Sequence, residues 1–358
     1  MTTSDTERRT PCHSPALVGV SARSWVRTVV ATTLLLAVLI VSAPPAAADA
    51  AGPTDYRTDI VSVRPSTPSI ELSMIGGDSF MRLVQLEPVE VLVLGYRGEP
   101  YLRFDPDGNV VENRRSPSTW LNQDRFGTDE SLPSFVDHEA PPDWRRVADD
   151  GSYAWHDHRS HWMNPSRPPG AEPGDQVLEA TVPIEVAGLP VTVTVASFLL
   201  EDPPWWPAAL GVVVALAGGI PAVRSGRLSL VAVVVAAATA ALVLGIIAFR
   251  SVPAETEPSS LLWLLPALAV VTILAVAALR NRLATTVYLD GLSVIAGSTL
   301  AAWALTRFDA LTKALIPSDA PASLDRLVIG VALVIGGLAA LRGFYGLARP
   351  RRLIDPTP

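Results

Sequence analysis

Hydrophobic positions divide the chain into unlike parts. One apolar stretch, 29–43, occupies the first fifty residues. From 51 to 204 apolar residues come in short runs broken by Pro, Gly, Asp and Asn. Beyond 205 long apolar runs dominate, at 208–223, 230–249, 261–279, 283–305 and 327–347. A helix needs ~20 mainly apolar residues to cross a bilayer. The pattern therefore predicts a bundle of five transmembrane helices over 205–347 and a tail over 348–358. The first run is the shortest, and Trp205, Trp206 and Pro207 extend it to the interfacial depth where tryptophans collect.

The short runs read as strands. Residues 60–63, 69–72, 80–86, 90–94, 101–104 and 110–111 are β-rich. They are separated by turn clusters such as Gly76-Gly77-Asp78 and Asp105-Pro106-Asp107-Gly108-Asn109. Residues 191–195 alternate V-T-V-T-V. With 177–186 and the pair Ala187-Gly188 between them, they predict a hairpin leading into the first apolar helix. The expected fold is an all-β, immunoglobulin-like sandwich over 51–204, of about six to eight strands, followed by the all-α bundle. The polar stretch 113–164 is long for a loop and is expected to be a functional or specially packed excursion.

The opening stretch has the form of a targeting segment. Arg23 and Arg27 precede the apolar run, Pro44 and Pro45 end it, and Ala46-Ala47-Ala48-Asp49-Ala50 follows. Basic, apolar, then A-x-A is the secretory pattern, so 1–50 is expected to be a signal peptide cleaved after Ala48 or Ala50. The alternative is an uncleaved sixth span. The single cysteine, Cys12, would leave with the signal. The mature chain would then have no disulfide, thiolate ligand or cysteine nucleophile.

Charge adds orientation. Residues 51–205 hold 25 Asp or Glu against 12 Arg and no Lys, a net of 12 − 25 = −13. Such a domain repels phosphate backbones, which excludes nucleic acid as a partner. Arg224, Arg227, Arg280, Arg282, Arg349, Arg351 and Arg352 fall in alternate loops and the tail. The opposite loops carry Glu255, Glu257, Asp309, Asp319 and Asp325, along with a few basic residues. The positive-inside rule then places the β domain outside a cell membrane and the C-terminus in the cytoplasm. Asp290 is the one carboxylate well inside an apolar run. An intramembrane carboxylate is costly and often functional, but this one is close enough to a helix end to pair with Arg280 or Arg282 or to reach interfacial water.

Two constellations carry chemistry. Trp155-His156-Asp157-His158-Arg159-Ser160-His161-Trp162-Met163 places three histidines within six residues. On a strand His156 and His158 share a face and His161 points away; in a turn all three converge. With His138 or Met163 they would suit copper or zinc. The competing reading is a structural network with an Asp157–Arg159 pair and Trp155, Trp162 and Met163 as core anchors. The second constellation is Arg114, Arg115 and Arg125 beside Asn113, Asn122 and Asp124. It either binds a carboxylate or phosphate of the envelope or locks its own loop. Hydrolase signatures such as GxSxG are absent, and no enzymatic activity is expected.

The runs Gly98-Glu99-Pro100-Tyr101-Leu102-Arg103, Glu112-Asn113-Arg114-Arg115-Ser116-Pro117 and W-H-D-H-R-x-H-W-M at 155–163 resemble an uncharacterised actinobacterial membrane protein family with a secreted β-sandwich. The resemblance covers most of the chain after the signal and implies no activity. A narrower likeness is to bacterial copper-resistance proteins that join a secreted β-sandwich to membrane helices. Here the expected mature N-terminus and the helices offer no histidine, so it implies at most a metal-binding β domain. The reading that asks least of these motifs is an envelope interaction or scaffold module. Its partners would be the lipid bilayer and another envelope protein or wall polymer. The alternative is an extracytoplasmic copper- or zinc-binding protein.

Overall fold

A computed structural model of the chain describes residues 51–126, 132–281 and 286–349. The expected signal peptide, Cys12, Arg282, Arg351, Arg352 and the tail from 350 lie outside these residues.

Among the described residues ten strands form two antiparallel sheets. They are β1 (Tyr56–Arg64), β2 (Ile70–Ile75), β3 (Phe80–Gln85), β4 (Val91–Leu94), β5 (Pro100–Phe104), β6 (Val110–Asn113), β7 (Trp144–Ala148), β8 (Ser152–Trp155), β9 (Gln176–Val186) and β10 (Leu189–Leu199). One sheet has the order β1-β10-β9-β4-β5-β6-β7 and the other β2-β3-β8. Val182 and Ile184 of β9, Val193 and Val195 of β10, Leu102 and Phe104 are buried together with Met81, Leu83 and Trp155 of the smaller sheet. The two sheets thus share one core.

The β9–β10 hairpin is present as expected. Ala187 and Gly188 have φ of 51° and 75°, the paired left-handed turn whose twist matches the strands it joins. Residues 113–164 differ from a long open excursion, for they contain β7, β8 and a short helix, Pro117–Leu121. β7 is the edge strand of the large sheet, and its arginines lie toward solvent. Edge exposure removes the hydrophobic alternation that marks a strand in sequence.

Among the described residues five apolar helices follow: α1 (Trp206–Ser225), α2 (Arg227–Arg250), α3 (Leu261–Leu279), α4 (Thr286–Thr306) and α5 (Ala322–Ala348). All are long enough to cross a membrane. α5 packs against α1, α2 and α4. Small residues set these contacts, as they do where lipid gives no hydrophobic drive between helices. A Cβ on Gly336 of α5 would lie 2.7 Å from the Gly297 carbonyl oxygen of α4. Neighbouring Gly337 meets nothing within 4 Å.

Asp290 pairs at 2.8 Å with Arg227, at the start of α2. Arg280 instead donates to the carbonyl of Ala277. Gly346 of α5 makes room for the Asp290 carboxylate, which would sit 2.4–2.6 Å from a Cβ there.

Among the described residues the two parts touch through the chain at Thr54 and Asp55 and through a turn on β8. Thr54 and Leu315 exchange backbone hydrogen bonds of 3.0 and 2.9 Å, beside a Lys313–Asp55 ion pair at 3.0 Å. A 3-10 turn between α2 and α3, Ala254–Thr256, packs on β8 with Thr256 buried.

Candidate metal centre

β8 ends at Trp155, and the chain turns at once. β3 and β8 pair with Met81 opposite Trp155, which brings His156 beside Phe80 and Ser79. Asp157 then caps a 3-10 turn, His158–Ser160. Its carboxylate accepts from the Arg159 N–H at 3.0 Å, and its carbonyl accepts from Ser160 N–H and Oγ at 2.8 and 2.7 Å. Thr58 of β1 donates to the Ser160 carbonyl at 2.7 Å and pins the turn to the large sheet.

Asp157 is fully buried, and Arg159 grips it through Nε and a terminal nitrogen at 2.8 and 2.7 Å. Trp155 Nε1 donates to it at 3.2 Å. Burial pushes the carboxyl pKa up, but the hydrogen bonds and charge of Arg159 outweigh it and hold the group below its ordinary value. The Asp157–Arg159 pair is therefore the frame of the turn.

That frame gathers the histidines. The ring centroids of His156 and His161 are 4.5 Å apart, those of His156 and His158 5.5 Å, and those of His158 and His161 5.8 Å. One ring nitrogen from each lies within 4.8 Å of the others. The convergent arrangement, and not the strand-like one, is what the turn produces.

One nitrogen of each ring meets a backbone carbonyl. His156 Nδ1 faces the Ser79 carbonyl at 2.6 Å, His158 Nε2 the Asp124 carbonyl at 2.7 Å, and His161 Nδ1 the Trp162 carbonyl at 3.0 Å. A carbonyl only accepts, so each of these nitrogens carries the proton. The lone pairs are left on His156 Nε2, His158 Nδ1 and His161 Nε2. Of these, the Nε2 atoms of His156 and His161 are buried and have no hydrogen-bond partner. Burial, helped by the charge of Arg125, lowers the His156 pKa to about 4. Burial, with His156 and Arg125 adding to it, lowers His161 to about 2. Both rings are neutral at neutral pH, the state in which imidazole ligates a metal.

The donor set fits a borderline metal. Zn–N bonds of ~2.0–2.1 Å in a tetrahedral shell place ligand nitrogens ~3.3 Å apart. Ring rotations closing at most about 1.5 Å per pair would complete three bonds. His158 is half-buried, leaving a side for a fourth ligand such as water. A backbone carbonyl on the far nitrogen of each ring is the usual support of a ligating histidine.

The other expected site residues fall elsewhere or serve this frame. His138 is exposed on the 132–143 loop, away from the cluster, and Met163 is half-buried two residues past His161. Arg125 pairs with buried Asp78 at 2.6 Å and donates to Ser79 Oγ at 3.1 Å. It thereby fixes the turn whose carbonyl orients His156. Arg114 pairs with Asp143 at 3.4 Å, and Arg115 donates to the Pro141 carbonyl at 3.0 Å. Both lock the 132–143 loop against β6. Sequence reasoning missed Thr58, Ser79 and Tyr96. Tyr96 stacks on His158 and accepts from its N–H at 2.9 Å. Only Asp157-x-x-Ser160 left a readable trace, as a capped turn. Comparisons with protein-family models, with curated proteins and with solved structures find no match to this chain.

Proposed function

We propose that this chain is a multi-pass membrane protein whose β domain binds a zinc or copper ion through His156, His158 and His161. The carrying observation is the shared orientation of the rings. Each turns one nitrogen to a backbone carbonyl, which leaves the other unprotonated, and one ring nitrogen from each lies within 4.8 Å of the others. Burying two unpartnered imidazole nitrogens costs free energy in a purely structural network, and a metal would repay it. The arginine distribution supports an outward β domain and a cytoplasmic C-terminus.

The test is calorimetric titration of the purified full chain in detergent with Zn(II) and Cu(II), beside a His156→Ala/His158→Ala variant. Sub-micromolar, one-to-one binding lost in the variant supports the reading. Absence of binding, with the variant merely destabilised, makes the cluster structural.

A second reading, an interaction module, draws on a different surface. Phe135 is 45% exposed, packs edge-on against Trp120 and lies under Arg114 at 5.5 Å. Aromatics with arginine are typical anchors of protein interfaces. Loss of a cross-linked envelope partner on Phe135→Ala, with metal binding intact, would favour it.

A further inference from the structure

A cleft of about 320 Å³ opens between the β domain and the loop joining α2 to α3. Its walls include Glu112, Arg145, Tyr153, His156, Glu255 and Glu257. His156 thus belongs to both the cleft and the histidine cluster. It is 6% exposed and its Nε2 is unpartnered.

Arg145 neutralises Glu112 at 2.6 Å. Among the described residues neither Glu255 nor Glu257 makes an ion pair. Both project from the 3-10 turn that packs on β8, the strand leading into His156. Glu257 holds a left-handed backbone, φ +46°, uncommon for a residue other than Gly, Asn or Asp. Tyr153 senses these charges: burial and then Glu112, Glu255 and Glu257 push its hydroxyl pKa up.

We propose that this cleft is the loading vestibule of the metal site, in which Glu255 and Glu257 draw in a hydrated divalent cation and pass it to His156. The inference rests on the metal reading above. A cleft with low-dielectric walls focuses the field of its carboxylates and raises the local concentration and on-rate of a counter-ion. Six waters at ~30 Å³ each, about 180 Å³, fit within the volume. The carboxylates come from the membrane-helix half and the ligands from the β domain, so a complete loading path needs both.

The test is stopped-flow Zn(II) association with the full chain in detergent, read by the change in total tryptophan fluorescence, to which Trp155 and Trp162 beside the histidines contribute. Glu255→Gln/Glu257→Asn removes both charges, and Asn tolerates the left-handed position. Glu172→Gln/Glu179→Gln makes the same net-charge change on an exposed face elsewhere. The expected result is association about fivefold slower in the cleft variant at low salt. The difference should shrink at high salt, with dissociation unchanged and the control like the parent. Equal rates in all three, or equal slowing in both variants, overturns the vestibule while leaving the metal site standing. Failure of the parent to bind Zn(II) overturns the metal reading itself.

Discussion

Among single residues, the proposed centre depends on keeping buried imidazoles neutral. His156 has a folded pKa of about 4 against ~6.5 in an unfolded chain. Between those values the unfolded chain holds the extra proton, so stability rises with pH there. The contribution is complete above ~6.5 and is lost as pH falls toward 4, amounting to about 3 kcal/mol for one such group. Metal-free protein should therefore lose stability over this range in denaturant unfolding, and His156→Gln should flatten the slope. A parallel slope in both proteins would contradict the burial argument. Asp157→Asn removes one partner of a buried ion pair and should cost ~3 kcal/mol, measured the same way. The histidine run itself is plain in the sequence. Its convergence is not, because alternation on a strand and closure in a turn differ only through contacts made by Asp157, Ser160 and distant Thr58.

At the scale of elements, legibility follows the strength of the hydrophobic period. The five apolar helices and the β9–β10 hairpin show long, uninterrupted patterns. β7 and β8 are short, and β7 sits at a sheet edge with exposed arginines, so neither stands out. The Gly336-Gly337 pair illustrates the same limit: composition marks both residues, but only the packing tells them apart. Gly336→Val forces atoms into the α4 backbone and should cost about 1–3 kcal/mol, seen as a lower melting temperature in detergent. Gly337→Ala meets open space and should change little. Equal effects would mean that α4 and α5 do not pack as described.

At the scale of the whole molecule, the β domain is tied to the helices through Thr54–Leu315, Asp55–Lys313 and the turn on β8. A site on one half can therefore be served by groups from the other. The proposed orientation predicts that, in a Cys12→Ser background, Ser259→Cys reacts with a membrane-impermeant maleimide on intact cells. Ser225→Cys should react only after permeabilisation, and the reverse pattern would invert the topology. The three-histidine metal centre is open to X-ray absorption at the zinc edge of the loaded full chain. Three imidazole nitrogens at ~2.0–2.1 Å with a light fourth ligand are expected, with loss of the imidazole signal in His156→Ala/His158→Ala. A shell of oxygen alone, or a spectrum unchanged by the substitutions, would contradict it.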